Sequence, residues 1–276
     1  MTHPILEAID KAIYDAQDRT HRNHLGASII GAKCARKIWL GFRWATAVEW
    51  DARLLRLFDR GKLEEDRFVT WLKNAGAQVW QVDPATLKQY RFSGYKGHFC
   101  GEIDGVATHP AIDGPFLLEF KTHNAKSFDE LKAVGVDVAK WEHYVQMQIY
   151  MGVMNLKQAV YLAINKNTDA IYAETVPFDE GCYMGFVKRA QDIIDSPEPP
   201  PRISNNPSWF ECKWCEHYAL CHQEGVPLVN CRTCAHSTPV ENAQWQCESD
   251  RTKAFPIIPI ETIRTGCSNY VRHPMN

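Results

Sequence analysis

Two acidic residues and a lysine are spaced as metal-dependent phosphodiester chemistry requires. Glu119 and Lys121 end a short apolar run and are separated by Phe120, while Asp104 lies in the segment before it. Residues i and i+2 of a β-strand face the same side, so Glu119 and Lys121 are predicted to project together. If the two segments pair as a hairpin, Asp104 comes beside Glu119.

Such a group would provide oxygen ligands for a hard divalent cation. The carboxylates of Asp104 and Glu119 with the Phe120 carbonyl suit Mg²⁺ or Mn²⁺. Lys121 could then orient the attacking water or stabilise charge on the phosphate. The Glu-x-Lys triplet recurs at 130–132 and 211–213, but only at Glu119 does it follow an apolar strand. An ordinary surface salt bridge on a strand remains the alternative.

Two helical segments could complete this group. Glu64 and Glu65 lie in a helical stretch upstream, where a carboxylate could join the metal ligands. Downstream, Gln146 and Tyr150 share one helix face at i, i+4 and could position a phosphate or Lys121. The alternative for this pair is a helix face that is partly core and partly surface.

Together these residues resemble the RecB-like branch of the PD-(D/E)XK nuclease superfamily. That family shows helical Gly-x-x-x-His/Glu, a strand Asp, strand Glu-x-Lys and helical Gln-x-x-x-Tyr. The matching residues are Gly61 with Glu65, then Asp104, Glu119 with Lys121, and Gln146 with Tyr150. The resemblance implies a restriction-endonuclease-like α/β core and metal-dependent DNA hydrolysis. Many relatives have His where this chain has Glu65, so Glu64 stays a rival for that role.

The cysteines form two separate groups. Seven of the ten lie after Pro207. In a chain with no export signal, such clusters bind metal more often than they form disulfides. Cys212, Cys215 and Cys221 form one chelating segment, and Cys34 is the natural fourth ligand of an iron–sulfur cluster or a zinc site.

One cysteine before the nuclease core and C-x₂-C-x₅-C after it resemble the iron–sulfur nucleases. These include the CRISPR-associated RecB-like exonucleases, the AddB nuclease domain and phage-encoded exonucleases. The resemblance favours a [4Fe–4S] cluster that closes a nuclease domain over residues 1–222.

The remaining residues, 223–276, are predicted to form a small metal-binding tail. Short Cys-rich segments without long apolar runs need a metal to hold their shape. Cys231, Cys234, Cys247 and Cys267 are the predicted zinc ligands, with His236 as a substitute ligand.

Sequence periodicity places these residues in a mixed central sheet flanked by helices. Helices are expected over 5–16, from about Val48 to Asn74, from 138 to 154, and from Asp179 to about 194. Strands are expected at 78–82, 90–93, 98–108, 115–122, 159–164 and 170–176. Ser196 to Pro201 is predicted to be a stiff linker.

Composition limits the function classes. With 276 residues, 45% of them hydrophobic, the chain can bury a core, and it has no apolar run of the ~20 residues that span a bilayer. These features, with the lack of a signal peptide, predict a cytoplasmic protein without a membrane partner. The net charge of −2 argues against a generally basic nucleic-acid coat but permits local DNA binding.

Three hypotheses follow for the function. The first is a DNA exonuclease in recombination, repair or phage DNA processing, with a recombinase or single-strand annealing protein as its partner. Arg36, Lys37 and Lys140 are candidate phosphate contacts. The second is a catalytically silent nuclease-like module that binds DNA or a recombinase. The third, a redox sensor, ranks last because the sequence has no flavin or nicotinamide motif.

Overall fold

The computed structural model describes residues 3–18, 20–47, 49–249 and 256–274. In this part of the chain the helices are α1 Pro4–Asp15, α2 Ala35–Phe42, α3 Ala52–Asn74, α4 Ala125–Val134, α5 Val136–Ala139, α6 Trp141–Met154, α7 Glu180–Asp195, α8 Phe210–Lys213, α9 Tyr218–His222 and α10 Ile260–Thr265. The strands are β1 Leu25–Gly26, β2 Gln78–Trp80, β3 Arg91–Gly94, β4 Phe99–Glu102, β5 Gly105–His109, β6 Ile112–His123, β7 Gln158–Asn165, β8 Ile171–Pro177, β9 Ser237–Val240 and β10 Gln244–Cys247.

A five-stranded sheet in the order β2-β5-β6-β7-β8 forms the centre of the fold. Its pairs are antiparallel except for the parallel pair β6–β7. Parallel neighbours need a long crossover connection, which α4, α5 and α6 provide here. The fold is therefore mixed α/β with a sheet flanked by helices, as the sequence predicts. Smaller sheets have the orders β1-β4-β3 and β9-β10.

Helix α3 covers one face of the central sheet. The Phe68 ring stacks on Phe120 of β6, with centroids 5.2 Å apart and planes 8° from parallel. This apolar cluster is completed by Val69, Ala107, Phe116, Leu118, Val160, Leu162 and Ile164. Because strand side chains alternate, Glu119 and Lys121 belong to the opposite face of β6. The Glu-x-Lys triplet thus places its apolar residue in the core.

Asp104 lies between strands, although the sequence predicts one strand over 98–108. That segment forms β4 and β5, with Ile103 and Asp104 between them. The Asp104 carboxylate accepts the Phe120 N–H at 2.9 Å, so a side chain takes the place of a ladder partner.

The predicted helix 138–154 also begins later than expected, at Trp141. Lys140 has φ −138° and ψ 57°, which separates α5 from α6. Helix α4 contains the triplet 130–132, and the Asn124 side chain caps this helix by accepting the Ser127 N–H. Asp179 caps α7 as predicted, accepting the Cys182 N–H at 2.9 Å.

Contacts divide the described chain into two compact units that alternate along the sequence. The first comprises Met1–Thr20, Val48–Phe92 and Gly101–Tyr183, and the second His21–Ala47, Ser93–Cys100 and Met184–Asn276. The predicted division into a nuclease domain over 1–222 and a metal-binding tail over 223–276 stays a prediction.

The tail shares the core of the second unit. Trp245 of β10 is fully buried, with its ring 5.4 Å from Phe42 and 5.7 Å from His98. The predicted linker also has fixed contacts: the Ser196 carbonyl accepts the Trp39 Nε1–H at 3.0 Å. Among the described residues, no helix combines the length and apolar character needed to cross a bilayer.

Acid pH is expected to destabilise the second unit through His98. This residue is fully buried, with Nε2 3.0 Å and 3.1 Å from the carbonyl oxygens of Val240 and Gln244. Burial, and then the nearby Arg232, lower the pKa of His98 from 6.5 to about 4. Between these two pH values, His98 is therefore protonated in the unfolded chain and neutral in the folded chain. This stabilisation is present above pH 6.5 and is lost as the pH falls towards 4.

Unfolding free energies of the wild type and His98→Gln between pH 7.5 and 4 measure this effect. The amide of Gln can donate to the same carbonyls but does not titrate. We expect the wild type to lose on the order of 2 kcal/mol more than the variant over this range. Parallel pH profiles for the two proteins would show that His98 does not contribute.

Candidate active site

The Glu119 carboxylate is the centre of the candidate site. Its side chain is completely buried, and Lys121 Nζ donates to its Oε1. Gln146 Nε2 donates to its Oε2 at 3.3 Å and also lies 3.3 Å from the Tyr150 hydroxyl. A buried charge needs such partners. The residues predicted from β6 and α6 therefore meet at one carboxylate.

Asp104 is next to Glu119 in the strand register. Gly105 pairs with Leu118 in the antiparallel ladder. Asp104 precedes Gly105 and Glu119 follows Leu118, so the two acidic residues lie opposite each other next to this pair. The bond from the Phe120 N–H to Asp104 fixes this end of the hairpin. The predicted pairing of the two segments is confirmed.

Three carboxylates share this site with one lysine. Burial, then the charge of Asp104, raises the pKa of Glu65 to about 7. Burial raises the pKa of Glu119 to about 7, and Asp104 and Glu65 add to this against the effect of Lys121. Burial also raises the pKa of Asp104. Burial and mutual repulsion therefore oppose the simultaneous ionisation of all three carboxylates beside a single ammonium group.

Lys121 is a cation in this arrangement. Burial alone would lower the pKa of Lys121, but the carboxylates of Glu119, Asp104 and Glu65 together raise it. The ammonium group can therefore orient water or stabilise phosphate charge, and it cannot serve as a base.

Glu65, rather than Glu64, belongs to this group. The Glu64 carboxylate is buried and accepts two bonds from Arg67 Nη1, at 2.9 Å and 2.7 Å. Glu65 interacts electrostatically with Asp104 and Lys121. Glu64 is therefore paired with Arg67 of the same helix and not with the residues of the site.

A buried hydrogen-bonded network beside the site was missed at the sequence level. The Tyr161 hydroxyl lies 2.9 Å from both His123 Nε2 and His143 Nδ1, and Ser127 Oγ lies 3.1 Å from His123 Nδ1. Tyr161 pairs with Glu119 across β6 and β7. Burial first, and then nearby lysines, lower the pKa of both histidines, so they stay neutral. The sequence signal was His143, which precedes Gln146 by one helical turn.

Gly101 provides the space that Tyr150 occupies. A Cβ at this position would lie 2.6 Å from Tyr150 Cε1, 2.8 Å from its hydroxyl and 2.7 Å from Phe92 Cε1. Such distances are below normal contact, so only glycine lets Tyr150 reach Gln146. This requirement could have been suspected from the glycine three residues before Asp104.

The first cysteine quartet comes together in the second unit. Cys34 caps α2, Cys212 lies on α8, Cys221 on α9, and Cys215 in the turn between them. Burial, then Cys34 and Cys221, raise the pKa of the Cys212 thiol. Burial raises the pKa of Cys215 to about 11, although its sulfur accepts the His217 N–H. The four sulfurs are therefore neighbours.

All cysteines of the described chain are free thiols. Cys100 is buried, as expected for an apolar residue, while Cys182 is only half-buried on α7. Within the described ranges, no group of three or more His, Cys, Asp or Glu side chains is positioned so that it could hold a metal ion.

The three candidate phosphate contacts are engaged within the protein. Arg36 is buried and donates to the Pro200 carbonyl at 3.3 Å, so its assignment as a surface contact is wrong. Lys37 pairs with Glu216 at 3.5 Å and Lys140 with Glu130 at 2.9 Å. Both lysines sit in ion pairs that solvent weakens.

No protein-family model and no curated protein matches this chain. Its fold is similar to that of SSO0001, at 17% identity and a TM-score of 0.45, over 79% of this chain and 96% of that one. It is also similar to an alkaline exonuclease (LHK-Exo) from Laribacter hongkongensis, at 16% identity and a TM-score of 0.43, over 66% of this chain and 90% of that one. The same exonuclease in complex with dAMP matches at 14% identity and a TM-score of 0.43, over 68% and 90% of the two chains. A functional proposal has to rest on the side chains of the site.

Gly101→Ala is expected to displace Tyr150 and destabilise the protein by about 1–3 kcal/mol, as overpacking does. Gly185→Ala is the matched control, because nothing lies within 4 Å of its added Cβ on α7. Thermal unfolding of both variants and the wild type measures the difference. Equal stability of the two variants would contradict the tight packing at Gly101.

Proposed function

We propose that the chain is a metal-dependent deoxyribonuclease that hydrolyses phosphodiester bonds at DNA ends. The observation that carries this proposal is the convergence of Asp104, Glu119 and Glu65 with one protonated lysine, Lys121. Oxygen ligands of this kind favour Mg²⁺ or Mn²⁺, and their charge is undercompensated without a cation. The resemblance to RecB-like nucleases supports an exonuclease that acts in recombination, repair or phage DNA processing.

The residues have distinct roles in this proposal. Asp104, Glu119 and the Phe120 carbonyl would hold the metal, with Glu65 in support. A bound divalent cation would polarise the phosphate and make water a better nucleophile. Lys121 would orient that water. The water oxygen forms a bond to phosphorus and releases its proton to solvent, while the bond from phosphorus to the leaving oxygen breaks and the leaving oxygen takes up a proton from solvent.

Gln146 and Tyr150 position this chemistry. The Gln146 amide fixes one oxygen of Glu119, and the Tyr150 hydroxyl lies beside that amide. We propose that both also place the DNA backbone. A carboxylate displaced by about 1 Å can cost two orders of magnitude in rate, so this support belongs to the site.

The first cysteine quartet is proposed to bind a [4Fe–4S] cluster. Cys34, Cys212, Cys215 and Cys221 are the proposed ligands, because four cysteine thiolates are the donor set that such a cluster needs. Arg189 donates to the Ala32 carbonyl at 2.6 Å and interacts electrostatically with Cys34. Such a cation would favour a thiolate-bound cluster.

The nuclease proposal is tested with end-labelled single- and double-stranded DNA. Protein purified without oxygen is incubated with Mg²⁺ or Mn²⁺, with and without EDTA. We expect Glu119→Gln and Lys121→Ala to lower cleavage roughly 10²–10⁴-fold, because each removes a group that acts on the transition state. EDTA should abolish cleavage by the wild type.

A second Glu-x-Lys triplet supplies matched controls. Glu130→Gln and Lys132→Ala alter the same residue types on α4, outside the site, and should cleave like the wild type. Glu65→Gln should raise the metal concentration needed, whereas Glu64→Gln should not. Intact DNA throughout, from folded protein, would favour the alternative of a catalytically silent module that binds DNA or a recombinase.

Cys34→Ser is expected to lose most of the iron and the visible absorption of the purified protein. Cys182→Ser, at a half-buried cysteine on α7, is the control and should retain both. Iron analysis and absorption spectra after anaerobic purification give the readout. Stoichiometric zinc in place of iron would replace the cluster by a structural zinc site with the same ligands.

A further inference from the structure

The cysteines of the tail converge on one small cavity in the second unit. Cys231 and Cys234 flank a 3₁₀ turn, Cys247 ends β10, and Cys267 follows α10. All four side chains line the same cavity of about 20 Å³, and His236 reaches its wall. A cavity of this volume can hold one water molecule or one metal ion.

The four sulfurs are mutual neighbours without being cross-linked. Cys231 interacts electrostatically with Cys267, Cys234 and Cys247, and all four are free thiols. The Val271 N–H points to Cys234 Sγ at 3.5 Å, a donor that would support a thiolate. In the part of the chain that is described, the sulfurs are not yet placed to hold an ion, so binding has to draw them inward around the cavity.

Two buried arginines beside this cavity lack an acidic partner. Arg43 and Arg232 are each 1% exposed. Among the described residues, Arg43 bonds to the backbone carbonyls of Arg232, Ser237 and Ser196 and to the imidazole of His273. Arg232 bonds to the backbone carbonyls of Phe42 and Asn23. Buried charges are normally paired with an opposite charge.

The cysteines can supply that charge. Guanidinium groups keep their charge in proteins, so Arg43 and Arg232 are cations. Arg43 donates to the carbonyl of Ser237, which lines the cavity, and it interacts electrostatically with Cys234. A divalent ion held by four thiolates has a net charge of about −2, which balances two guanidinium groups.

We propose that Cys231, Cys234, Cys247 and Cys267 bind one zinc ion as a closed centre that compensates the buried Arg43 and Arg232. A centre with His236 in place of one cysteine would leave one positive charge unbalanced. Because the fourth position is a thiolate, the centre is structural and leaves no site for a substrate.

The position of Arg232 gives this centre a role. It lies between the first two ligands, and its guanidinium stacks 3.8 Å from the centroid of the Trp44 ring. The turn that carries the ligands is thereby inserted into the aromatic core of the second unit. Zinc would fix this turn where the short strands of the tail cannot do so alone.

Metal analysis tests the proposal without reference to DNA cleavage. The full chain, purified without oxygen, should contain about one zinc per chain in addition to its iron. Cys247→Ser and Cys267→Ser should each lose at least about tenfold in zinc affinity, while His236→Asn keeps it. Co²⁺ in place of zinc should give thiolate-to-metal charge-transfer absorption in the wild type.

Arginine variants test the charge compensation. Arg43→Gln should weaken zinc retention against a chelator by about tenfold in protein that remains folded by circular dichroism. Arg189→Gln, beside the other quartet, is the control and should retain zinc. Zinc held equally by Arg43→Gln and the wild type would overturn the charge-compensation role.

Two further results would overturn the site itself. Folded wild-type protein without zinc and without cobalt absorption would exclude the centre. Iron that is lost from the tail variants would show a second cluster instead. Either result leaves the nuclease proposal untouched, because cleavage and metal content are measured separately.

Discussion

Placing the Glu119 carboxylate fully inside the first unit creates an electrostatic problem that the surrounding elements are arranged to meet. A buried carboxylate is stable only if hydrogen bonds or cations offset the lost hydration. Strand β6 brings Lys121 to one oxygen, and helix α6 brings the Gln146 amide to the other. Asp104 and Glu65 then add more negative charge at the same place. The proposal of a divalent-cation site rests on these three carboxylates around one lysine.

The packing around this group follows from the same requirement. Phe120 lies between the two functional residues of its strand, and its ring against Phe68 holds α3 and β6 together. Glu65, on that helix, is thereby held at the site. Gly101 lets Tyr150 approach Gln146, and the His123–Tyr161–His143 network fills the adjacent space with neutral, hydrogen-bonded groups. These neighbours are neutral, so they do not offset the negative charge of the carboxylates.

The second unit has the opposite problem, because its interior contains positive charge. Arg43 and Arg232 join the tail to α2 through carbonyl oxygens and aromatic rings. Carbonyl dipoles satisfy their N–H groups but do not cancel their charge. In the zinc proposal, thiolates that bind the metal supply the missing negative charge. A prediction from cysteine spacing alone could not include these arginines, because their burial depends on residues distant in sequence.

The sequence by itself indicated which residues come together and in what order they follow along the chain. Alternation along β6 and helical spacing along α6 depend on local geometry, so Glu119 with Lys121 and Gln146 with Tyr150 could be placed from their spacing. Tertiary structure alone decided what depends on distant contacts. Glu64 bonds to Arg67 instead of joining the site. Asp104 lies between two strands and accepts the Phe120 N–H, and Arg36 is buried and donates to the Pro200 carbonyl. Each outcome depends on which groups compete for one partner in three dimensions, and sequence spacing does not encode that competition.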